Sequence, residues 1–86
     1  MKIDLEKIPE EIPVIWILAL ALIHMTPCAD SHYSILGNRV FGSIQSAAVV
    51  ASSFLRRKWI VKQPENDHAF ILTAEGHRIL DLVEVP

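Results

Sequence analysis

The order of patterns from Ser43 to Glu84 constrains this chain more than any other feature. A helical periodicity comes first. Ile44, Ala47, Ala48, Ala51, Phe54 and Leu55 fall on one side, and Gln45, Val49, Ser52, Ser53 and Arg56 on the other. Two short runs of strand composition follow, 59–63 and 68–72, separated by Pro64-Glu65-Asn66-Asp67, a turn by its chemistry. Thr73 can then cap a last helix from Ala74 to about Glu84, with Ile79, Leu80 and Val83 as its apolar stripe. Helix, ribbon, helix in so short a span predicts a small α+β fold, mostly helical, with a two-stranded ribbon.

The chain has 86 residues, which allows a single domain, 1–86, with one core. So short a chain buries only about 60–65% of its unfolded surface. Its hydrophobic fraction of 51% is high for that size, which points to apolar surface buried against a second copy or another protein. The net charge of −2 gives no global attraction to nucleic acid, so any basic footprint must be local. Cys28 is the only cysteine, so no intramolecular disulfide forms and an intracellular, cytoplasmic setting is expected. The N-terminus does not resemble a signal peptide. The longest apolar run, Val14 to Ile23, is ten residues, where a membrane span needs about 20. No membrane association is expected.

Upstream, residues 1–12 read as an N-terminal arm or short helix, limited by Pro9 and Pro13. Pro13 suits the start of a helix running to about Met25 that is apolar on every side, and such a helix is buried all round. One face is therefore expected to meet a partner chain, through Ile12, Val14, Trp16, Ile17 and Leu20. A connection over Thr26–Ser31, a second helix from His32 to about Val40, and a third from Ser43 or Ile44 to Arg57 complete the chain.

Residues 34–80 resemble the winged helix-turn-helix of the multiple-antibiotic-resistance-regulator (MarR-like) type. Leu36-Gly37-Asn38-Arg39-Val40-Phe41-Gly42 is similar to the second helix and its turn. Phe54-Leu55-Arg56-Arg57-Lys58-Trp59-Ile60-Val61 is similar to the end of the recognition helix entering the first wing strand. Ile71-Leu72-Thr73-Ala74-Glu75-Gly76-His77-Arg78-Ile79-Leu80 is similar to the second wing strand and the closing helix. The resemblance implies a winged helix-turn-helix with a two-stranded β-wing, and DNA binding. The chain departs from the family at the wing tip, where Glu65, Asn66 and Asp67 replace the usual basic residues. The connection from second to third helix is also longer than usual.

The candidate DNA-contacting residues follow from the exposed side of the third helix. Gln45, Ser46, Val49, Ser52 and Ser53 offer groups that pair with base edges or meet a thymine methyl. Arg39, Arg56, Arg57, Lys58 and Lys62 can hold phosphates. The N-terminal half of that helix carries no charge, although recognition helices usually read bases from that half. The same residues also suit an ordinary solvated helix face.

His24, Cys28 and His32 stand four apart, a spacing that suits zinc on a continuous helix. Pro27 and the Asp30-Ser31 turn argue against that helix, and Asp30 is the only nearby fourth ligand. No metal or other cofactor is expected. Trp16 and Trp59 read as core or interface rather than a ligand box, and Arg78 and Asp81 as a surface ion pair. No nucleophile elbow or glycine-rich phosphate loop is present, so the chain does not read as an enzyme.

The expected function is a DNA-binding transcriptional regulator, probing double-stranded DNA with helix 44–57 as a homodimer. The alternative is a protein-interaction winged helix (adaptor, subunit or inhibitor) that does not bind DNA. A third reading is a metal or redox sensor built on Cys28.

Overall fold

The computed structural model describes residues 2–85. Its elements are a 3₁₀ turn Leu5–Lys7, helices α1 (Val14–Met25) and α2 (His32–Leu36), a π-helical turn Gly37–Phe41, helix α3 (Ile44–Arg56), strands β1 (Ile60–Gln63) and β2 (Asn66–Leu72), and helix α4 (Ala74–Val83). The chain is thus α+β, mainly helical, with one antiparallel two-stranded ribbon. No helix among the described residues is long and apolar enough to cross a membrane.

α1 begins after Pro13, whose missing N–H costs nothing at a helix start. Ile17, Ala19, Leu20, Ala21 and Ile23 are buried. The helix is not enclosed all round. Val14, Ile15, Leu18 and Met25 remain 39–59% exposed. Together with half-buried Leu22 they form an uncharged stripe about 100° wide, spaced as one face of an α-helix. The expected partner surface is corrected accordingly. Ile12, Ile17 and Leu20 belong to the chain's own core, because they sit on the side that α2, β2 and α4 cover. Of the expected set, only Val14 and half-buried Trp16 reach the surface.

α2 is capped by Ser31, whose Oγ accepts from the Ser34 N–H at 3.3 Å. The expected helix to Val40 ends as an α-helix at Leu36 and continues as a π turn, closed by Gly42 at φ 79°. Gly37 lies where α2 meets the start of α3. A Cβ there would stand 3.0 Å from the Ile44 nitrogen.

Ser43 caps α3, accepting from the Ser46 N–H at 3.1 Å. Ala47, Val50, Ala51 and Phe54 are buried. Ala48 and Leu55 are half-buried, and Ile44 is 57% exposed. The core stripe is therefore shifted from the expected one. Val50 enters it, while Ile44 stands in the first turn, at the edge of the contact with α2.

α3 ends in a Schellman turn. The Lys58 N–H donates to the Leu55 carbonyl at 3.1 Å and the Trp59 N–H to the Phe54 carbonyl at 3.0 Å. The left-handed position is Lys58, at φ 62°. The hydrophobic contact that accompanies such turns is Phe54 on Trp59, with ring centroids 5.4 Å apart.

The ribbon pairs Ile60 with Leu72, Val61 with Ile71 and Lys62 with Phe70. It then slips, so that Gln63 opposes Asn66 and residues 67–69 bulge. Only Pro64 and Glu65 form the turn, because Asn66 and Asp67 are taken into the strand. Ile60, Phe70 and Leu72 are buried. The tip is fastened to the body: Asn66 Nδ2 donates to the Asp30 carbonyl at 2.7 Å and Gln63 Nε2 to the Pro27 carbonyl at 3.1 Å.

Thr73 joins ribbon to helix. Its Oγ1 accepts from the Gly76 N–H at 3.1 Å and its hydroxyl donates to the Lys58 carbonyl. Gly76 packs against the Trp59 carbonyl so tightly that any Cβ would collide with that oxygen. Ile79, Leu80 and Val83 enter the core. The N-terminal arm closes onto the end of α4 through an Ile3–Glu84 bridge and a bond from the Asp4 N–H to the Val83 carbonyl at 2.7 Å.

Candidate nucleic-acid interface

The outward side of α3 is where the sequence placed base-reading groups. Gln45, Ser46, Val49, Ser52 and Arg56 are exposed on it and Ser53 is half-buried. It is a continuous surface of small polar side chains, with Val49 at 68% exposure and Ile44 beside its start. Its charge lies wholly at the C-terminal end. Gln45 and Arg56 are about 16 Å apart along the axis at the α-helical rise. Cations at that end also complement the helix dipole, which is a structural reason for Arg56-Arg57-Lys58 independent of any ligand.

Ser53, Arg56 and Arg57 line a shallow depression of about 250 Å³. Within it Arg56 Nη2 donates to Ser53 Oγ at 3.3 Å. Arg57 lies over two indole rings, 5.3 Å from the Trp16 centroid and 5.4 Å from that of Trp59. Trp16 meets Phe54 edge-on at 5.5 Å and Trp59 at 6.2 Å. An aromatic base thus holds Arg57 in place beside Arg56. No local pattern signals that Trp16 reaches this cluster, since only tertiary packing brings α1 to the end of α3. The Ser53 hydroxyl is spent on the Val49 carbonyl at 3.4 Å, so the depression offers two guanidinium groups, a donor set that suits a phosphate.

Arg39, Lys58 and Lys62 are exposed, on the π turn, the Schellman turn and β1 respectively. Glu65 and Asp67 are exposed at the ribbon tip and bring negative charge there. Because Asn66 and Gln63 tie that tip to the 26–31 connection, the ribbon does not project freely from the body.

The zinc candidates do not converge. His32 is fully buried. Its Nδ1 accepts from the Phe70 N–H at 2.8 Å, which leaves the proton on Nε2 to be donated to the Thr26 carbonyl at 2.9 Å. Both ring nitrogens are occupied, so His32 is a structural pin between α2, β2 and the connection. Burial lowers its pKa below the ordinary 6.5, opposed by the Thr26 bond. His24 and Cys28 are exposed, and no three metal-ligating side chains cluster among the described residues. His24 instead stands edge-on to His77, centroids 5.1 Å apart. Arg78 pairs with Glu75 at 2.5 Å rather than with Asp81. Glu75, one turn back, presents both oxygens to the guanidinium, which lowers the Glu75 pKa and raises that of Arg78.

No family model matches the chain, and no curated protein or solved structure matches it either.

Proposed function

We propose that the chain is a DNA-binding transcriptional regulator of winged-helix type, with α3 as its recognition helix and the β1–β2 ribbon as a short wing. The observation that carries this reading is the depression lined by Ser53, Arg56 and Arg57 at the end of the exposed polar side of α3. A phosphate seated there sets that side against base edges, where Gln45 and Ser46 can donate and accept and Val49 can meet a thymine methyl. The stripe Val14, Ile15, Leu18, Leu22 and Met25 is the surface for a second copy, and a symmetric pair favours a two-fold operator.

The test is binding of a labelled generic duplex, followed by anisotropy, at about 50 and 200 mM salt, the range over which phosphate contacts weaken strongly. Binding at low salt that falls steeply at high salt supports the reading. Arg56→Ala then weakens all duplexes alike, whereas Gln45→Ala alters sequence preference. A duplex ignored at both salts sinks it.

A second reading is favoured by the exposure of Ile44 and Val49 and by the acidic tip at Glu65 and Asp67. A protein-binding module on the same scaffold uses the α3 side for an apolar contact. Its binding varies little with salt, and Val49→Asp abolishes it.

A further inference from the structure

A half-open groove of about 590 Å³ lies between the end of α1, strand β2 and the first turn of α4. That volume is in the range of small-molecule sites. Its inner wall is apolar: Ile23 and Phe70 are each 1% exposed, and Ile71 stands in the outer wall at 47%. The groove's polar groups separate by position. His24 and His77 sit together at the ribbon's base, centroids 5.1 Å apart. Glu65 lies at the ribbon turn, the length of β2 away.

Neither imidazole has a hydrogen-bond partner among the described residues, and each carries at least one N–H in any protonation state. Gln63 is already committed, its Nε2 donating to the Pro27 carbonyl at 3.1 Å and the Phe70 carbonyl at 3.4 Å. The groove therefore offers two unused donors at one end, an apolar wall, and a carboxylate at the other end that repels a second anion. We propose that it binds an apolar monocarboxylic acid, with its carboxylate accepting from ring N–H groups of the touching His24 and His77 pair and its hydrocarbon body against Ile23, Phe70 and Ile71. This site is separate from the α3 side and does not depend on the DNA-binding reading.

Octanoate and benzoate serve as probes, one a chain and one a ring, with octanol and octylamine as controls. Each is titrated into the full chain, and the imidazole signals are followed by NMR alongside calorimetry. The expected result is that at least one acid shifts the His24 and His77 signals together and saturably. Octanol then binds more weakly by roughly tenfold, the worth of one charge-assisted hydrogen bond. His24→Ala and His77→Ala each weaken the acid by a similar factor. Both side chains are exposed, so the fold survives the changes. Octylamine binding as tightly as octanoate overturns the proposal. So does unchanged affinity in both variants, or the absence of saturable shifts with either acid. Duplex binding is measured separately, so failure here leaves the α3 reading standing, and failure there leaves this site standing.

Discussion

Single residues carry unusual weight here because so small a core leaves little reserve. His32 is the clearest case. Its neutral ring joins the Phe70 N–H to the Thr26 carbonyl inside the core, and a proton on Nδ1 breaks the first bond. Burial places its folded pKa below the unfolded value of 6.5. Between those two values the unfolded chain binds more protons, so stability falls as pH drops below about 6.5 and levels off under the folded value. Thermal midpoints between pH 7.5 and 5 should show that decline, and His32→Phe should remove the His32 share of it. The same change leaves a buried N–H and carbonyl unpaired, so it lowers stability near neutral pH by about 2 kcal/mol. Gly76 works by absence. Its helix lies on the Trp59 carbonyl, and Gly76→Ala should cost about 2 kcal/mol in a denaturant titration, since backbone rather than a flexible side chain must move. Lys58 is the reverse case, an ordinary residue at φ 62°. Lys58→Gly should raise the denaturation midpoint, by about 1 kcal/mol of relieved left-handed strain less the added chain entropy. The role of Gly76 was legible in part, because Thr-Ala-Glu-Gly marks a helix start. The role of His32 was not. Its partners lie six and 38 residues away, and no local pattern reports such distances.

At the scale of elements, local chemistry located most of the boundaries. Pro13, Ser31, Ser43 and Thr73 each stand at a helix start, because capping is decided within three residues. The π turn after Leu36 and the bulge in β2 were not legible, since both answer to packing of one element on another. The fastened ribbon tip has the same origin. Thr73 shows how an element boundary becomes a tertiary joint: one hydroxyl caps α4 and also bonds the Lys58 carbonyl at the end of α3. Thr73→Ala should therefore cost about 1–2 kcal/mol, the upper part of the range for a lost cap. Thr73→Ser, which keeps both bonds, should recover most of that loss in the same measurement.

Over the whole molecule, the unresolved tension in the sequence was a helix apolar on every side in a chain too short to enclose it. The fold divides α1 in two. One side supplies Ile17, Leu20 and Ile23 to the core, and the other leaves Val14, Ile15, Leu18 and Met25 in view. Composition could predict that surplus but could not apportion it, because periodicity vanishes when every position is apolar. The stripe runs about 16 Å along the helix at the α-helical rise. An uncharged stripe of this kind suits an interaction site, and self-pairing through it is the arrangement that the proposed regulator favours. The two sides of α1 can be separated by experiment. Leu18→Glu lies outside the core, so its circular dichroism and thermal midpoint should stay near those of the parent, while sedimentation shifts from dimer to monomer. Leu20→Ala, wholly buried, should cost about 2–5 kcal/mol of stability, as core truncations do, and leave the stripe untouched. A parent chain that sediments as a monomer at micromolar concentration overturns the pairing. It would leave α3 to act alone, at a single half-site.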